Sequence, residues 1–104
     1  MTKTILLDID GTFLIMQDGQ YLPHPRYGEL FPYDIIFWSA SEYGPAIAKL
    51  MGCEFISKSS EICPNADVLI DDYEGFHNHG CKVNKCYFSI DGFLDDELDQ
   101  LDKK

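Results

Sequence analysis

The chain of 104 residues predicts an α/β fold: a three-layer sandwich around a five-stranded, mostly parallel sheet of Rossmann type. Three observations carry that expectation. Short apolar runs of strand length alternate with segments of helical period. Several of the runs are apolar enough to be buried on both faces, as strands are when helices cover a parallel sheet on both sides. Finally, acidic, hydroxyl or lysine residues stand at the carboxyl end of one run after another, which is the rim where such sheets bind ligands.

Residues 4–9 read as the first strand, a β-branched and aliphatic run stopped by Asp10-Gly11. Asp8 and Asp10, two positions apart, leave it on the same face. Two carboxylates that close call for a proton or a cation between them, and Gly11 permits a sharp turn with close backbone approach. Residues 13–22 form a hairpin about Asp18-Gly19, placed to overhang that turn as a small flap. The segment 24–32, with Pro25 and Pro32, has room for about two helical turns.

The second strand is expected over 33–38, ending in Ser39-Ala40-Ser41. A helix follows, with Glu42 and Pro45 in its first turn, Ala46, Ile47, Leu50 and Met51 as its apolar stripe and Gly52 as its stop. A hydroxyl between a strand and a helix can hold a phosphate oxygen, although Ser41 there also suits an N-cap. Residues 53–56 form a third strand with Lys58 just beyond it, before a brief helical turn around 59–63. Residues 66–70 form the fourth and deliver Asp71-Asp72. The fifth lies within 82–90, most clearly 86–90. A short acidic helix closes the chain over 93–101, with Phe93, Leu94, Leu98 and Leu101 inward and Asp95, Asp96, Glu97, Asp99 and Asp102 on a solvated outer face.

Size and charge narrow the function. One domain over 1–104 has one modest core. No apolar run approaches the ~20 residues of a membrane span, and the amino terminus leads straight into a strand, so a cytoplasmic protein without membrane contact is expected. Eighteen acidic against eight basic residues give a net charge of −10, with no basic stripe, which argues against nucleic acid as partner. Cys53, Cys63, Cys81 and Cys86 are expected as free thiols.

The order Asp8-Ile9-Asp10-Gly11-Thr12, a strand ending in Ser39, then Lys58, then a strand ending in Asp71-Asp72 resembles the haloacid dehalogenase superfamily of phosphohydrolases. The resemblance spans essentially the whole chain. It implies an Mg²⁺-dependent phosphatase acting on phosphomonoesters through an aspartyl phosphate, with Asp8 as nucleophile and Asp10 as general acid/base. Ser39 and Lys58, with the turn residues Gly11 and Thr12, would bind the phosphoryl group. Asp8, Asp10 (through its carbonyl), Asp71 and Asp72 would hold Mg²⁺. Only 13–34 separates the first motif from the second strand, so no cap domain is inserted and the hairpin is the only cover. An open site of that kind suits a phosphoprotein as well as a small molecule. Phosphatase and phosphotransferase both pass through the same intermediate.

Two rival readings are a receiver-like phosphoacceptor and a phosphate-binding module that keeps the fold without hydrolysis. A receiver places its acidic pair on the first strand and its lysine on the last, the reverse of this order. His77, His79, Cys81 and Cys86 lie within ten residues, but their spacing is not that of a standard zinc knuckle. His77 or His79 beside the loop after Asp72 would instead suit substrate contact.

Overall fold

The computed structural model describes residues 2–59, 64–77 and 83–102. Its centre is a five-stranded sheet in the order β5-β4-β1-β6-β7, parallel at every pairing. The strands are β1 (Thr4–Leu7), β4 (Asp34–Ser39), β5 (Glu54–Ser57), β6 (Val68–Ile70) and β7 (Lys85–Tyr87). The hairpin of β2 (Leu14–Gln17) and β3 (Gln20–Pro23) forms a separate antiparallel pair. Asp18 (φ 51°) and Gly19 (φ 79°) turn it, the doubly left-handed turn that matches the twist of two-residue hairpins. A tight helical turn, Tyr27–Leu30, fills the connector that follows.

The alternation of side chains sorts the core. Ile5 and Leu7 of β1, Ile35 and Phe37 of β4, and Val68 and Ile70 of β6 point to one face. There they meet Ala48 of α1 (Gly44–Met51) and Ile90, Phe93 and Leu94 of α3 (Ile90–Asp102). Burying each such Leu, Ile or Phe contributes about 1.5–3 kcal/mol. Phe93 is wedged edge-on between Tyr33 and Tyr87, with ring centroids at 5.2 and 5.4 Å. The other face carries a smaller set, Leu6, Trp38 and Leu69, with Ile36, Ile56, Ala66, Val83 and Cys86 against them. Both longer helices therefore pack on one face. The helical turn expected around 59–63 falls largely outside the described residues, as do 78–82. The one described helical segment between β6 and β7 is α2 (Glu74–His77).

Three element readings are corrected. The inward stripe of α1 is Gly44, Ile47, Ala48 and Met51; Ala46 is exposed and Leu50 is 86% exposed. The phase is set by Gly44, where an added Cβ would sit 2.3 Å from Cε1 of Phe55. A residue without a side chain leads the stripe, so apolar periodicity misplaces it. The last strand is Lys85–Tyr87, and α3 begins at Ile90, three residues earlier than expected, with Ile90 fully buried as its first core contact. Leu98 and Leu101 are exposed instead of inward.

The acidic face of α3 is not simply solvated. Glu97 pairs with Lys3, Asp96 with Lys85 at 2.7 Å and with the Tyr87 hydroxyl, and Asp95 with Arg26 at 2.9 Å. Cys53 and Cys86 are free thiols, and Cys63 and Cys81 lie outside the described residues. Among the described residues no helix is long and apolar enough to cross a membrane.

Candidate active site

The strand order reverses at β1: the chain moves outward through β4 and β5, then returns to the other side of β1 with β6 and β7. The crevice beyond the carboxyl ends of β1 and β6 is thus the switch point of the sheet. Asp8 and Asp71 stand there as the residues directly after the two strands. Their backbones are still in the ladder, Asp8 N–H donating to Ile70 O and Asp71 N–H to Tyr87 O, both at 3.0 Å. Lys58 N–H continues the β4–β5 ladder in the same way, donating to Ser39 O at 3.0 Å. The charged groups are carried on paired backbone rather than on free loops.

Their side chains converge. Lys58 Nζ bridges Asp8 Oδ1 at 2.9 Å and Asp71 Oδ2 at 2.6 Å, and it lies 5.2 Å from the ring centroid of Trp38. Asp71 is fully buried, and Asp8 and the Lys58 side chain nearly so. Burial pushes the Asp8 carboxyl up to about 7; the Lys58 hydrogen bond opposes the rise and the Asp71 charge adds to it. A buried lysine between two carboxylates therefore balances the pair only in part, and the site favours more positive charge or a proton.

Thr12 ties the acids together. Its hydroxyl lies 3.1 Å from Asp8 Oδ2 as donor and accepts the Asp72 N–H at 3.1 Å. Ligand oxygens of Asp8, Asp71 and Asp72 lie within 4.8 Å of one another. Three carboxylates with no nitrogen or sulfur donor form a hard-oxygen set, which fits Mg²⁺ or a similar hard cation better than zinc. Gly11 (φ 84°) makes the turn beneath them, and a Cβ there would sit 2.2 Å from Asp72 Oδ2. Phe13, next along, is driven into the core against Phe37 and Tyr27 at 5.0 and 5.7 Å, which pins the turn to the sheet.

The structure brings Asp8, Thr12, Lys58, Asp71 and Asp72 into one cluster. Gly11 and Thr12, expected at the phosphate, have their N–H groups on Leu14 O (2.8 Å) and Ile9 O (3.2 Å), so here they shape the turn. Ser39 is buried at the same rim, its Oγ accepting the Ser41 N–H at 3.0 Å. Because β1 ends at Leu7, Asp8 and Asp10 do not leave a strand together as expected: Asp10 is exposed and not among the clustered acids, with Ser41 Oγ hydrogen-bonding its Oδ2 and the Tyr43 hydroxyl its Oδ1. Sequence reasoning missed Tyr43 as a partner of Asp10, and also Trp38 as the floor under Lys58. The signal for Trp38 was its place on the last turn of alternation before Ser39; for Tyr43 there was none. The side chains of His77, His79 and Cys81 fall outside the described residues, so the zinc grouping with Cys86 has no structural description. No protein-family model, curated protein or solved structure matches this chain.

Proposed function

We propose that the protein is an Mg²⁺-dependent phosphomonoester hydrolase of the haloacid dehalogenase type, working through an aspartyl phosphate on Asp8. The observation that carries this reading is the convergence of Asp8, Asp71, Asp72 and Lys58 at the switch point of a parallel sheet, with a fourth carboxylate, Asp10, two residues after Asp8. The finer fold reading goes with it: a capless, haloacid-dehalogenase-like domain. It is supported by the strand order and by the hairpin placed directly after β1.

In this reading Asp8, Asp71 and Asp72 hold Mg²⁺, which when bound supplies the positive charge that lets an anionic nucleophile approach a phosphate dianion. Asp8 Oδ attacks phosphorus, and Lys58 and Ser39 take the equatorial oxygens as charge spreads over them. Asp10 gives its proton to the departing alcohol oxygen. It then takes one from the water that opens the aspartyl phosphate, and phosphate is released with Asp8 restored. The substrate is a phosphorylated small molecule or phosphoprotein in the cytoplasm. The net charge of −10 argues against nucleic acid.

The deciding experiment is hydrolysis of p-nitrophenyl phosphate with and without Mg²⁺, beside Asp8→Asn. Turnover that needs Mg²⁺ and falls by about 10⁴-fold or more in the mutant is the expected result. Thermal stabilisation by Mg²⁺ without turnover of any phosphomonoester would favour the non-hydrolytic phosphoacceptor. Neither turnover nor stabilisation would overturn both.

A further inference from the structure

The carboxylate of Asp10 is held at both oxygens by hydroxyl groups from one bend. Ser41 Oγ bonds Oδ2 and the Tyr43 hydroxyl bonds Oδ1. Neither hydroxyl is occupied with starting α1: Tyr43 stands at the N-cap position and makes no side-chain cap. The bend is fixed instead by its own backbone. Ser41 N–H donates to Ser39 Oγ at 3.0 Å, Gly44 N–H to Ser41 O at 3.2 Å and Ile47 N–H to Tyr43 O at 3.1 Å. Buried Ser39 therefore anchors the segment that presents Ser41 and Tyr43 to Asp10. Tyr43 is otherwise an odd residue for its place, a large ring left 46% exposed beside the proposed site.

We propose that Ser41 and Tyr43 are positioning residues for proton transfer by Asp10; the inference rests on the function given above, in which Asp10 is the acid and base. In the first step the bond from phosphorus to the leaving oxygen breaks, the bond from Asp8 Oδ to phosphorus forms, and the Asp10 proton passes to the leaving oxygen. In the second, water oxygen bonds phosphorus, its proton passes to Asp10, and the bond to Asp8 breaks. Asp10 must therefore alternate between carboxylic acid and carboxylate in one orientation. A hydroxyl suits both forms, since it donates to the carboxylate and, by turning, accepts from the acid; a lysine or arginine can only donate. Two partners on two oxygens also stop rotation of an exposed side chain, so the proton is presented along one line.

A pairing of this kind matters in proportion to how much the leaving oxygen needs a proton. The test compares p-nitrophenyl phosphate, whose phenolate leaves well unprotonated, with phenethyl phosphate, whose alkoxide does not. The quantity read is kcat/KM, which covers only the steps through departure of the alcohol. Tyr43→Phe and Ser41→Ala are expected to lower kcat/KM on phenethyl phosphate about tenfold, the scale of one lost hydrogen bond to a reacting group. On p-nitrophenyl phosphate the same variants are expected to change it less than about twofold, and Ser41→Thr, which keeps the hydroxyl, is expected to restore the alkyl ester. Retained thermal stabilisation by Mg²⁺ shows that each variant keeps the fold and the carboxylate cluster. Equal losses on both esters, or none on either, would overturn the inference while Asp8-dependent turnover of the wild type left the parent function standing. A wild-type protein with no turnover on either ester would remove both.

Discussion

Two charged clusters in this small protein use the same residue types to opposite effect. At the switch point, Lys58 sits between Asp8 and Asp71 in a buried setting, and the Asp8 carboxyl is raised to about 7 despite an ammonium 2.9 Å away. At the base of the hairpin, His24 Nε2 meets Asp91 Oδ2 at 2.9 Å, and Arg26 reaches Asp91 and Asp95 at 3.1 and 2.9 Å and Glu29 at 3.0 Å. There the Asp91 carboxyl is lowered, first by the His24 hydrogen bond and then by Arg26. Because His24 Nδ1 accepts the Arg26 N–H at 3.0 Å, its proton is on Nε2, aimed at Asp91. Desolvation separates the two: at the exposed Asp91 it is outweighed by the His24 and Arg26 partners, whereas at the buried Asp8 it outweighs the one lysine. The hairpin cluster is a staple between the flap base and the start of α3. The rim cluster is held short of neutrality, which is the condition for binding a cation.

Removing the central cation breaks this contrast most directly. Lys58→Met leaves Asp8 and Asp71 facing each other while buried, and is expected to cost about 3–5 kcal/mol in urea unfolding at pH 8 without metal, with Mg²⁺ recovering much of it. Arg26→Met is expected to leave the unfolding midpoint close to wild type, because its partners remain in water. Similar losses in the two variants would mean that burial is not what distinguishes the clusters.

The pH dependence sharpens the same contrast by sign. Between about 3.8 and about 7 the native protein keeps a proton on Asp8 that the unfolded chain has released. The Asp8 contribution is therefore fully present below about 3.8 and falls as pH rises to about 7, with a slope of at most ~1.4 kcal/mol per pH unit. Asp91 runs the other way: its contribution is present above the ordinary carboxylate range and fades as pH falls. Unfolding curves in chelator for wild type, Asp8→Asn and Asp91→Asn read the two apart, the wild-type advantage over Asp91→Asn shrinking in acid and its standing against Asp8→Asn improving there.

The smallest expected effect is steric. Gly11→Ala meets both a left-handed φ and the Asp72 carboxylate at 2.2 Å, whereas Gly19→Ala in the hairpin turn (φ 79°) meets nothing within 4 Å. Each is expected to cost about 1 kcal/mol through the backbone. Only Gly11→Ala is expected to weaken Mg²⁺ binding, by about tenfold as the Asp72 carboxylate is pushed aside, measured by the metal dependence of the thermal midpoint.

The strands and the rim were legible in the sequence for one reason. A buried parallel strand is a largely apolar run, so the polar residues at or just past its end mark the carboxyl rim; Asp8, Ser39 and Asp71 are the first of these, and Lys58 follows Ser57 at the end of β5. What was illegible depended on partners distant in the chain. The phase of α1 hangs on the ring of Phe55 filling the space at Gly44. The start of α3 hangs on Ile90, whose apolar character extends the preceding strand equally well on paper. The acids of α3 look solvated until Lys3, Arg26 and Lys85 arrive from other elements. The bracketing of Asp10 by Ser41 and Tyr43 joins residues 31 and 33 positions apart, a relation that no local pattern encodes.

The two ladder bonds that hold Asp8 and Asp71, to Ile70 and Tyr87, also fix a length. The carboxylates hang from adjacent strands, so the gap between them is gauged by the interstrand repeat of ~4.8 Å and not by the set of a loop. An ion seated between them has to fit that gauge. Mg²⁺ asks for oxygens at about 2.0–2.1 Å and Ca²⁺ for about 2.3–2.6 Å, and a sheet held by hydrogen bonds on both sides gives little in that direction. Selection between the two ions would thus be made by the pitch of the β-structure itself.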